Sequence, residues 1–459
     1  MTQRFEQDFV VLGAGLCGLA ASYLLEDRAV VLERARVAGG LVRSECNGGY
    51  WFDHVLHLLY FADSKTEQRI TALLGDRLQR VKPEAWVETT HGTVRFPFQM
   101  HLGGLDREVV VNCLSDLAKE TFLASDEVPG NFEELLLRTF GQTMADTFLL
   151  PYNRKMWRRP LAALAPSGFQ WNITRPDFDK VLRGALNPDS EFRAYNAQGW
   201  YPRPAKDATL RGMAVLSDAL AHACHDVRLS HTVESIDLAR RTVVARGPQG
   251  DTEFGWRDSC LCTLPLPVTL GLCKQAPDRL LAAAQTLTRN RVITVAFSVE
   301  GPRPAGRGFW RYYGDEALIF TRLIYLHEFD PDIAPPEGWV LMAEVTQRAE
   351  DPLDDRTELL TRIRADVVAA GALPEDCKIV DEHVLVIDPA YVVFTPENAE
   401  IVHELRSFLA GHGVTPLGRY GQWEYSSMAQ VMRDGFAWAD AALARNEAPP
   451  GAASELPDA

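Results

Sequence analysis

Residues 8–25 read DFVVLGAGLCGLAASYLL, a short apolar run followed by three spaced glycines and then by the start of an amphipathic helix. Gly13 permits a tight turn, Gly15 lets the backbone approach a pyrophosphate, and Gly18 lets the helix pack closely on the strand. The free N–H groups at the start of the helix would face the phosphates. The stretch therefore predicts the strand, glycine loop and helix of a Rossmann-like dinucleotide-binding fold.

A second apolar run, AVVLE at 29–33, ends in Glu33, fifteen residues after Gly18. A carboxylate at this place would hydrogen-bond both hydroxyls of a ribose. Because a glycine motif alone is weak, the whole strand–loop–helix–strand–Glu order carries the prediction of a bound dinucleotide.

The segment that follows, ERARVAGGLVRSE, contains the pair Gly39-Gly40 and, three residues later, Arg43. It resembles the second glycine pair and arginine of FAD enzymes in the glutathione-reductase and amine-oxidase superfamily, which NAD-dependent dehydrogenases do not carry. A surface turn is the alternative interpretation. The resemblance implies FAD as the cofactor, contacted by Gly13, Gly15, Gly18, Glu33, Gly40 and Arg43.

Three later segments are expected to return to the same domain. VRLSHTVESIDLARRTVVARG (227–247) predicts two strands around a turn, and SCLCTLPLP (259–267) predicts a strand that ends in a proline-rich turn. GRYGQWEY (418–425) precedes a predicted helix, MAQVMRDGFAWADAALAR. In the superfamily such segments back the adenosine and reach the flavin, which implies further cofactor contacts by Val233, Arg419, Ser427 and Met428.

The central segment NFEELLLRTFGQTMADTFLLPYNRKMWRRP (131–160) predicts two helices that meet at Pro151-Tyr152-Asn153, with Trp157 one turn further on. It resembles the UDP-galactopyranose mutase family, particularly its eukaryotic-type branch, where Pro-Tyr-Asn-x-Lys-x-Trp follows such a helix. The asparagine and tryptophan of that motif line the sugar-nucleotide pocket. The resemblance therefore implies substrate contacts by Asn153 and Trp157.

Matches to the same family are scattered over roughly residues 8–445, each at its own spacing. Trp171 and Arg175 are four residues apart, Tyr312 and Arg322 are ten apart, and Arg419 and Tyr425 are six apart. RFPFQ at 95–99 resembles the aromatic-Pro-Phe-Gln segment of the family, and Tyr391 in DPAYVVF and Asn196, four residues before WYPRP, add weaker matches. The further substrate contacts implied are Phe96, Gln99, Phe148, Asn196, Tyr312, Tyr391 and Tyr425.

The chemistry of these residue types agrees with a nucleotide-sugar pocket. Planar guanidinium groups match phosphate oxygens, and tyrosine hydroxyls donate hydrogen bonds without adding charge. Taken singly, Arg322 would more often be a surface or salt-bridged residue and each tyrosine a packing residue. Jointly, Arg175 and Arg322 are predicted to hold a diphosphate.

The resemblance also implies a mechanism in which reduced FAD acts as a nucleophile. Its N5 attacks the anomeric carbon of the sugar, the diphosphate leaves, and a flavin–sugar adduct opens and recloses with no net redox change. Catalytic roles are implied for His57, Arg175 and Arg322, and NAD(P)H is the expected reductant. Asp53 and His57 keep the family spacing, but Val55-Leu56 stand where the family has two glycines, a bulkier and stiffer pair.

Bulk properties exclude several other classes. The formal charge of −15 disfavours a nucleic-acid partner or an anionic membrane surface, and no run is long and apolar enough to span a bilayer. The first apolar run follows a polar leader, and the eight cysteines show no disulfide or zinc spacing, so a cytoplasmic location is expected. Cys260 and Cys262 are predicted to pack inside a strand. His54 and His57 lack a cluster of partners in the sequence, so no metal site is predicted.

The predicted fold class is α/β, with a discontinuous Rossmann-like FAD-binding domain and inserted helical and mixed antiparallel-sheet substrate domains. The predicted function is a flavin-dependent mutase that interconverts pyranose and furanose forms of an NDP-hexose. An FAD oxidoreductase of the amine-oxidase or protoporphyrinogen-oxidase type and a non-catalytic nucleotide-sugar or flavin-binding protein are the alternatives. A homo-oligomer is compatible with the sequence. The predicted segments are FAD-binding parts at 1–90, 196–290 and 401–446, a helical insert at 91–195, a substrate sheet at 291–400 and a disordered tail at 447–459.

Overall fold

The computed structural model of the protein describes residues 3–55, 58–123, 127–166, 175–187, 198–206 and 208–447. The strands, in chain order, are β1 Gln3–Leu12, β2 Ala29–Leu32, β3 Ser44–Asn47, β4 Tyr50–Asp53, β5 Leu78–Val81, β6 Ala85–Thr89, β7 Gly92–Arg95, β8 Gly199–Pro202, β9 Val227–Arg228, β10 Thr232–Asp237, β11 Thr242–Gly247, β12 Gly250–Cys262, β13 Arg289–Glu300, β14 Trp310–Tyr313, β15 Arg322–Tyr325, β16 Gly338–Arg348, β17 Lys378–Val392 and β18 Val414–Pro416. Residues 448–459 of the predicted tail lie outside this description.

Some helices connect the strands, and others form the long central insertion. In chain order they are α1 Leu16–Leu25, α2 Ser64–Leu74, α3 Arg107–Phe122, α4 Phe132–Phe140, α5 Gln142–Met144, α6 Leu150–Trp157, α7 Phe178–Leu186, α8 Ala214–Ala223, α9 Leu266–Leu272, α10 Asp278–Gln285, α11 Arg356–Ala369, α12 Asn398–Ala410, α13 Gly418–Gly421 and α14 Met428–Glu447. No helix in the described ranges is both long and apolar enough to cross a membrane.

The first seven-stranded sheet is the Rossmann-like part. Its order is β10-β11-β12-β1-β2-β9, and β18 pairs with β12. Strand β1 runs parallel to both β2 and β12, whereas β10, β11 and β12 form an antiparallel meander. Strands from the beginning, middle and end of the chain therefore build one sheet, and the predicted discontinuous fold is confirmed.

The second seven-stranded sheet has the order β17-β13-β16-β15-β14-β6-β7. Its neighbouring strands are antiparallel except for β14 and β6, which are parallel. The predicted boundary between residues 90 and 91 lies in the turn of the β6–β7 hairpin. The domain boundaries stay predictions. One hydrophobic cluster continues from α1 and α14 to residues of this sheet such as Ala296, Ile324 and Met342, so the two sheets share a core.

The central insertion differs from its prediction at one point. Helix α4 ends at Phe140, before Gly141 with its φ of +79°, and not at Pro151-Tyr152-Asn153. From residue 142 to Trp157 the chain stays helical through a π-helical turn, Ala145–Leu149. The prediction that the helices meet at Pro151 is wrong, because the wider π turn accommodates a proline that an ordinary α-helix interior would not.

The cysteines have the packing role that the sequence predicts. Cys260 and Cys262 are fully buried on one face of β12 and belong to the same apolar cluster as Cys273. Burial raises the pKa of Cys262 to about 11, so its thiol stays protonated at neutral pH.

Candidate functional site

The glycine loop has the geometry that close packing on a cofactor needs. Gly13 has a φ of +98°, and a Cβ there would lie 2.4 Å from Thr263 Oγ1. A Cβ on Gly18 would lie 2.2 Å from the Gly13 carbonyl oxygen, whereas one on Gly15 would meet nothing within 4 Å. The first and third glycines are therefore required by packing, and the second borders open space at the N-terminus of α1.

The second glycine pair lies directly beside the first loop. Gly39 forms a β-bridge with Gly15, and its N–H donates to the Ala14 carbonyl at 2.8 Å. A Cβ on Gly40 would approach the Gly15 Cα to 3.1 Å. The two glycine segments, 13–18 and 39–40, thus lie side by side around the start of α1, and we call this backbone surface the glycine cradle.

Glu33 and Arg43 border this cradle. The two carboxylate oxygens of Glu33 accept the N–H groups of Ala14 and Ala35 at 2.9 and 2.8 Å, and each keeps a lone pair for a ligand hydroxyl. The Nε of Arg43 is buried without a hydrogen-bond partner among the described residues. An unpaired cation beside free helix N–H groups fits the phosphates of a dinucleotide.

The other predicted cofactor residues lie around the same sheet. Val233 is half-buried in β10. Ser427 caps α14 through a reciprocal pair of hydrogen bonds with Gln430, and Met428 is the first residue of that helix. Helix α14 then crosses α1 so closely that a Cβ on Gly435 would lie 2.3 Å from the Cys17 carbonyl oxygen.

A group of aromatic side chains, which we call the aromatic cluster, lies between the helical insertion and the second sheet. Its members pack in one apolar core. The ring centroids of Phe96 and Tyr312 are 5.3 Å apart, and Tyr152 lies 5.6 Å from Tyr312 and 5.1 Å from Phe148. The cluster comprises Phe96, Phe98, Phe148, Tyr152, Trp157, Tyr312, Tyr391 and Tyr425.

The second half of the aromatic cluster surrounds Tyr391. Tyr391 stacks on Tyr425 with 5.8 Å between centroids and contacts Trp157 edge-on at 6.0 Å. The Trp157 indole N–H donates to Asn153 Oδ1 at 3.2 Å, one helical turn away. Burial raises the pKa values of Tyr312 and Tyr391, so both hydroxyls stay protonated and can donate hydrogen bonds at neutral pH.

Arg419 holds this half of the aromatic cluster together. Its guanidinium carbon lies 4.2 Å from the centre of the Tyr425 ring. Nη1 donates to the Ser426 carbonyl at 3.0 Å and Nη2 to the Ala390 carbonyl at 2.9 Å, while the buried Nε has no partner within the described chain. Arg419 thus joins β17 to the loop before α14 and keeps a full positive charge there.

Arg322 enters the aromatic cluster from β15 and is paired with Glu344 of β16. Nε and Nη2 donate to the two carboxylate oxygens at 2.7 and 2.8 Å, and the two side chains are only 11% and 9% exposed. Burial opposes the charge, but the Glu344 carboxylate outweighs it and raises the pKa of Arg322. One edge of the guanidinium is therefore fixed, and Nη1 is left for a ligand.

Sequence reasoning missed three residues of this site, and one of them, Phe98, lies in the quoted segment RFPFQ and packs against Phe148. Tyr152 was part of the quoted motif but received no role, and its hydroxyl is one more protonated donor in the aromatic cluster because burial raises its pKa well above the usual range. Glu344 could have been singled out from the sequence, because it is a lone carboxylate in the apolar stretch VLMAEV of β16. A buried charge in a strand requires a partner, and the strand register places Arg322 directly opposite.

The remaining predicted residues are less closely tied to the aromatic cluster. Gln99 is buried in a short 3₁₀ turn, Phe98–Met100, beside it. Arg175 is exposed and makes no hydrogen bond or ion pair within the described part of the chain. His57 and Asn196 lie outside the described residues, as does Trp171.

The segment before His57 is held firmly at Asp53. This fully buried carboxylate accepts the Tyr201 hydroxyl at 2.7 Å, the Met213 N–H at 2.9 Å and the Ser44 hydroxyl. Burial raises its pKa to about 6 against these three donors. The backbone N–H of His54 donates to the Arg43 carbonyl at 2.9 Å, and its ring nitrogen Nε2 lies 2.5 Å from Glu45 Oε1.

No group of three or more His, Cys, Asp or Glu side chains among the described residues could hold a metal ion. His54 shares Glu45 with His383, whose Nε2 lies 3.2 Å from the second carboxylate oxygen of Glu45. Burial lowers the pKa of His54, so its contact with Glu45 is a hydrogen bond from a neutral imidazole at neutral pH.

Residues 11–76 match the family model described as an NAD(P)-binding Rossmann-like domain. Over nearly its full length the chain is similar to solved structures of a common fold. Reduced UDP-galactopyranose mutase matches with a TM-score of 0.87 at 20% identity over 96% of each chain. A putative protoporphyrinogen oxidase from Exiguobacterium sp. 255-15 matches with a TM-score of 0.69 at 16% identity, over 97% of this chain and 99% of that one. A redesigned putrescine oxidase matches with a TM-score of 0.63 at 14% identity, over 96% of this chain and all of that one.

The class defined by these findings is a mixed α/β protein with a Rossmann-like dinucleotide-binding domain. Its overall fold is the fold of UDP-galactopyranose mutase. The resemblance predicted from the motifs is confirmed at the level of the fold.

Proposed function

We propose that this protein is an FAD-dependent isomerase that interconverts the pyranose and furanose forms of a nucleotide-linked hexose. The observation that carries the proposal is the convergence of residues from five separate segments, around 96, 148–157, 312–322, 391 and 419–425, into the aromatic cluster and its two partly buried arginines, Arg322 and Arg419. The fold shared with UDP-galactopyranose mutase supports it.

The cofactor is held by residues of the glycine cradle. The N–H groups at the start of α1 and the unpaired Nε of Arg43 bind the pyrophosphate, and Glu33 accepts hydrogen bonds from a ribose. Reduced FAD supplies a nucleophilic nitrogen without net oxidation or reduction of the sugar.

The chain's own residues then bind, orient and shield the substrate. Arg322 presents Nη1 to the diphosphate, and Glu344 holds its other edge in place. The hydroxyls of Tyr312 and Tyr391 donate further hydrogen bonds to phosphate oxygens, and Trp157 packs against the sugar. Because the tyrosine hydroxyls lie in a largely apolar core, each of these charge-assisted hydrogen bonds is stronger than in solvent.

The roles of His57, Arg175 and Asn196 belong to this proposal as contacts to the cofactor, the diphosphate and the substrate, respectively. Phe96 and Gln99 contact the substrate, Phe148 packs against its base, and Asn153 packs with Trp157 against the sugar. We further propose that NAD(P)H reduces the flavin, that a nucleotide sugar is the partner, and that the protein works in the cytoplasm in carbohydrate biosynthesis.

The alternative is an FAD-dependent oxidoreductase, because a putative protoporphyrinogen oxidase and a putrescine oxidase share the scaffold. An oxidoreductase function gives no reason for two partly buried arginines, Arg322 and Arg419, among tyrosines that are held protonated. The two functions differ in what happens to the flavin during turnover.

The experiment follows UDP-galactose in its pyranose and furanose forms with the purified protein and FAD reduced by dithionite under nitrogen. Interconversion, seen by chromatography, with the flavin still reduced supports the mutase. Bleaching of oxidised flavin by an amine or porphyrinogen substrate would establish the oxidoreductase instead. Nucleotide binding without turnover of any sugar nucleotide in a panel would leave only a binding protein.

A matched pair of variants ties the activity to the aromatic cluster. Tyr312 and Tyr313 are neighbours on β14, but Tyr312 packs in the aromatic cluster whereas Tyr313 packs on the opposite side of the sheet against Phe320. Tyr312→Phe should lower kcat/KM about tenfold, the effect of one lost hydrogen bond. Tyr313→Phe should leave it unchanged.

A further inference from the structure

Val55 closes a small apolar cluster at the junction between the glycine cradle and the aromatic cluster. Three side chains in it, Val292, Ile387 and Ala390, are each 6% exposed. Leu41, Val55 and Tyr391 pack against them and are only partly buried. We call the surface of these three partly buried side chains the apolar wall.

The apolar wall borders both halves of the proposed site. Leu41 directly follows Gly40 of the cradle, and Tyr391 stacks on Tyr425 of the aromatic cluster. Val55 is fixed between them because the preceding residue donates its backbone N–H to the Arg43 carbonyl and Asp53 is buried with three hydrogen bonds. The apolar wall therefore lies where the glycine cradle and the aromatic cluster meet.

The chemistry of the wall selects among sugars. Its side chains are aliphatic apart from the Tyr391 ring and hydroxyl, and the valine and leucine have no polar atoms. A sugar hydroxyl that faces Val55 or Leu41 loses its hydration without gaining a partner, whereas a methyl group gains apolar contact. The wall thus disfavours a hexose with an exocyclic hydroxymethyl group and favours its deoxy counterpart.

We propose, building on the proposed mutase function, that the substrate is a nucleoside-diphosphate-linked 6-deoxyhexose whose methyl group lies against Val55. Val55 is then a specificity-determining residue. Discrimination of this kind by an apolar pocket reaches about 10- to 100-fold in kcat/KM.

The test compares UDP-galactose with UDP-6-deoxygalactose, which share the base and the diphosphate. The wild-type protein with reduced FAD should convert the deoxy sugar with a kcat/KM at least about tenfold higher. Val55→Thr keeps the shape and adds a hydroxyl, and it should lower this ratio about tenfold or more. Val386→Thr, on the exposed side of β17 where Val386 is 48% exposed, is the matched control and should keep the ratio.

Two outcomes overturn this inference and leave the mutase function standing. In the first, the wild-type protein converts UDP-galactose as fast as the deoxy sugar or faster. In the second, Val55→Thr keeps its flavin and shows the same ratio of kcat/KM values for the two sugars as the wild type. If Val55→Thr fails to fold, Val55→Ala serves, since removal of the wall should also lower the ratio. If neither sugar is converted although UDP binds, the mutase function fails and this inference fails with it.

Discussion

Replacing Arg322 or Glu344 by methionine leaves the other charge buried without a partner. The two hydrogen bonds of 2.7 and 2.8 Å and the low exposure of both side chains mean that solvent cannot compensate. Each single variant should therefore lose about 3–5 kcal/mol of free energy of unfolding. The double variant removes both charges and should lose much less than the sum, with a coupling of at least about 2 kcal/mol between the sites.

The same four proteins separate stability from ligand binding. Urea denaturation of the FAD-loaded proteins gives the coupling, and titration calorimetry with UDP and with uridine gives the affinities. The double variant should bind uridine normally but UDP about 10- to 100-fold more weakly, because charge-assisted hydrogen bonds to the diphosphate are lost. The control is the same double replacement by methionine at Arg364 and Glu382, an ion pair in which Arg364 is 53% exposed. It shows the effect of removing an ion pair away from the site. Unchanged UDP affinity in the Arg322→Met/Glu344→Met variant would refute the role of Arg322 as a diphosphate ligand.

Three further predictions concern other parts of the site. Burial raises the folded-state pKa of Asp53 to about 6, so the stability contributed by its protonated form is full below pH 4 and is lost as the pH rises through 6. Relative to Asp53→Asn, the wild type should therefore lose about 3 kcal/mol of free energy of unfolding between pH 4 and 7, measured by urea denaturation. Parallel pH dependences of that free energy in the two proteins would refute this. Gly18→Ala places a Cβ 2.2 Å from a carbonyl oxygen of the glycine loop and should abolish FAD retention on gel filtration, whereas Gly271→Ala, with open space around it, should retain FAD fully. Ser427→Ala removes the cap of α14 and should lower the free energy of unfolding by about 1 kcal/mol without changing the UDP affinity; no loss of stability would contradict the cap.

The Rossmann-like part was predictable because its sequence pattern states steric requirements. Gly13 needs a positive φ and Gly18 needs the absence of a Cβ, and both requirements act over a few neighbouring residues. Glu33 follows from the length of one helix and one strand. Local rules of this kind survive in any tertiary context, so the sequence alone indicates the cradle.

The second sheet and the course of the central helices depend on distant contacts. Strand β6 pairs with β14, more than two hundred residues later, and no local pattern specifies that partner. The π-helical turn before Pro151 likewise has no sequence signature of its own. The Arg322–Glu344 pair could have been anticipated from a lone carboxylate in an apolar strand, but only with the register of β15 and β16 in hand.

The number of sugar molecules converted per reducing equivalent tests the central claim most directly. Protein whose FAD has been reduced with one equivalent of dithionite, and then freed of excess reductant, is mixed under nitrogen with an excess of nucleotide sugar. The proposed function predicts many conversions between pyranose and furanose per electron pair, with the flavin spectrum still that of the reduced form at the end. No conversion, or at most one product molecule per electron pair with the flavin oxidised, would contradict it.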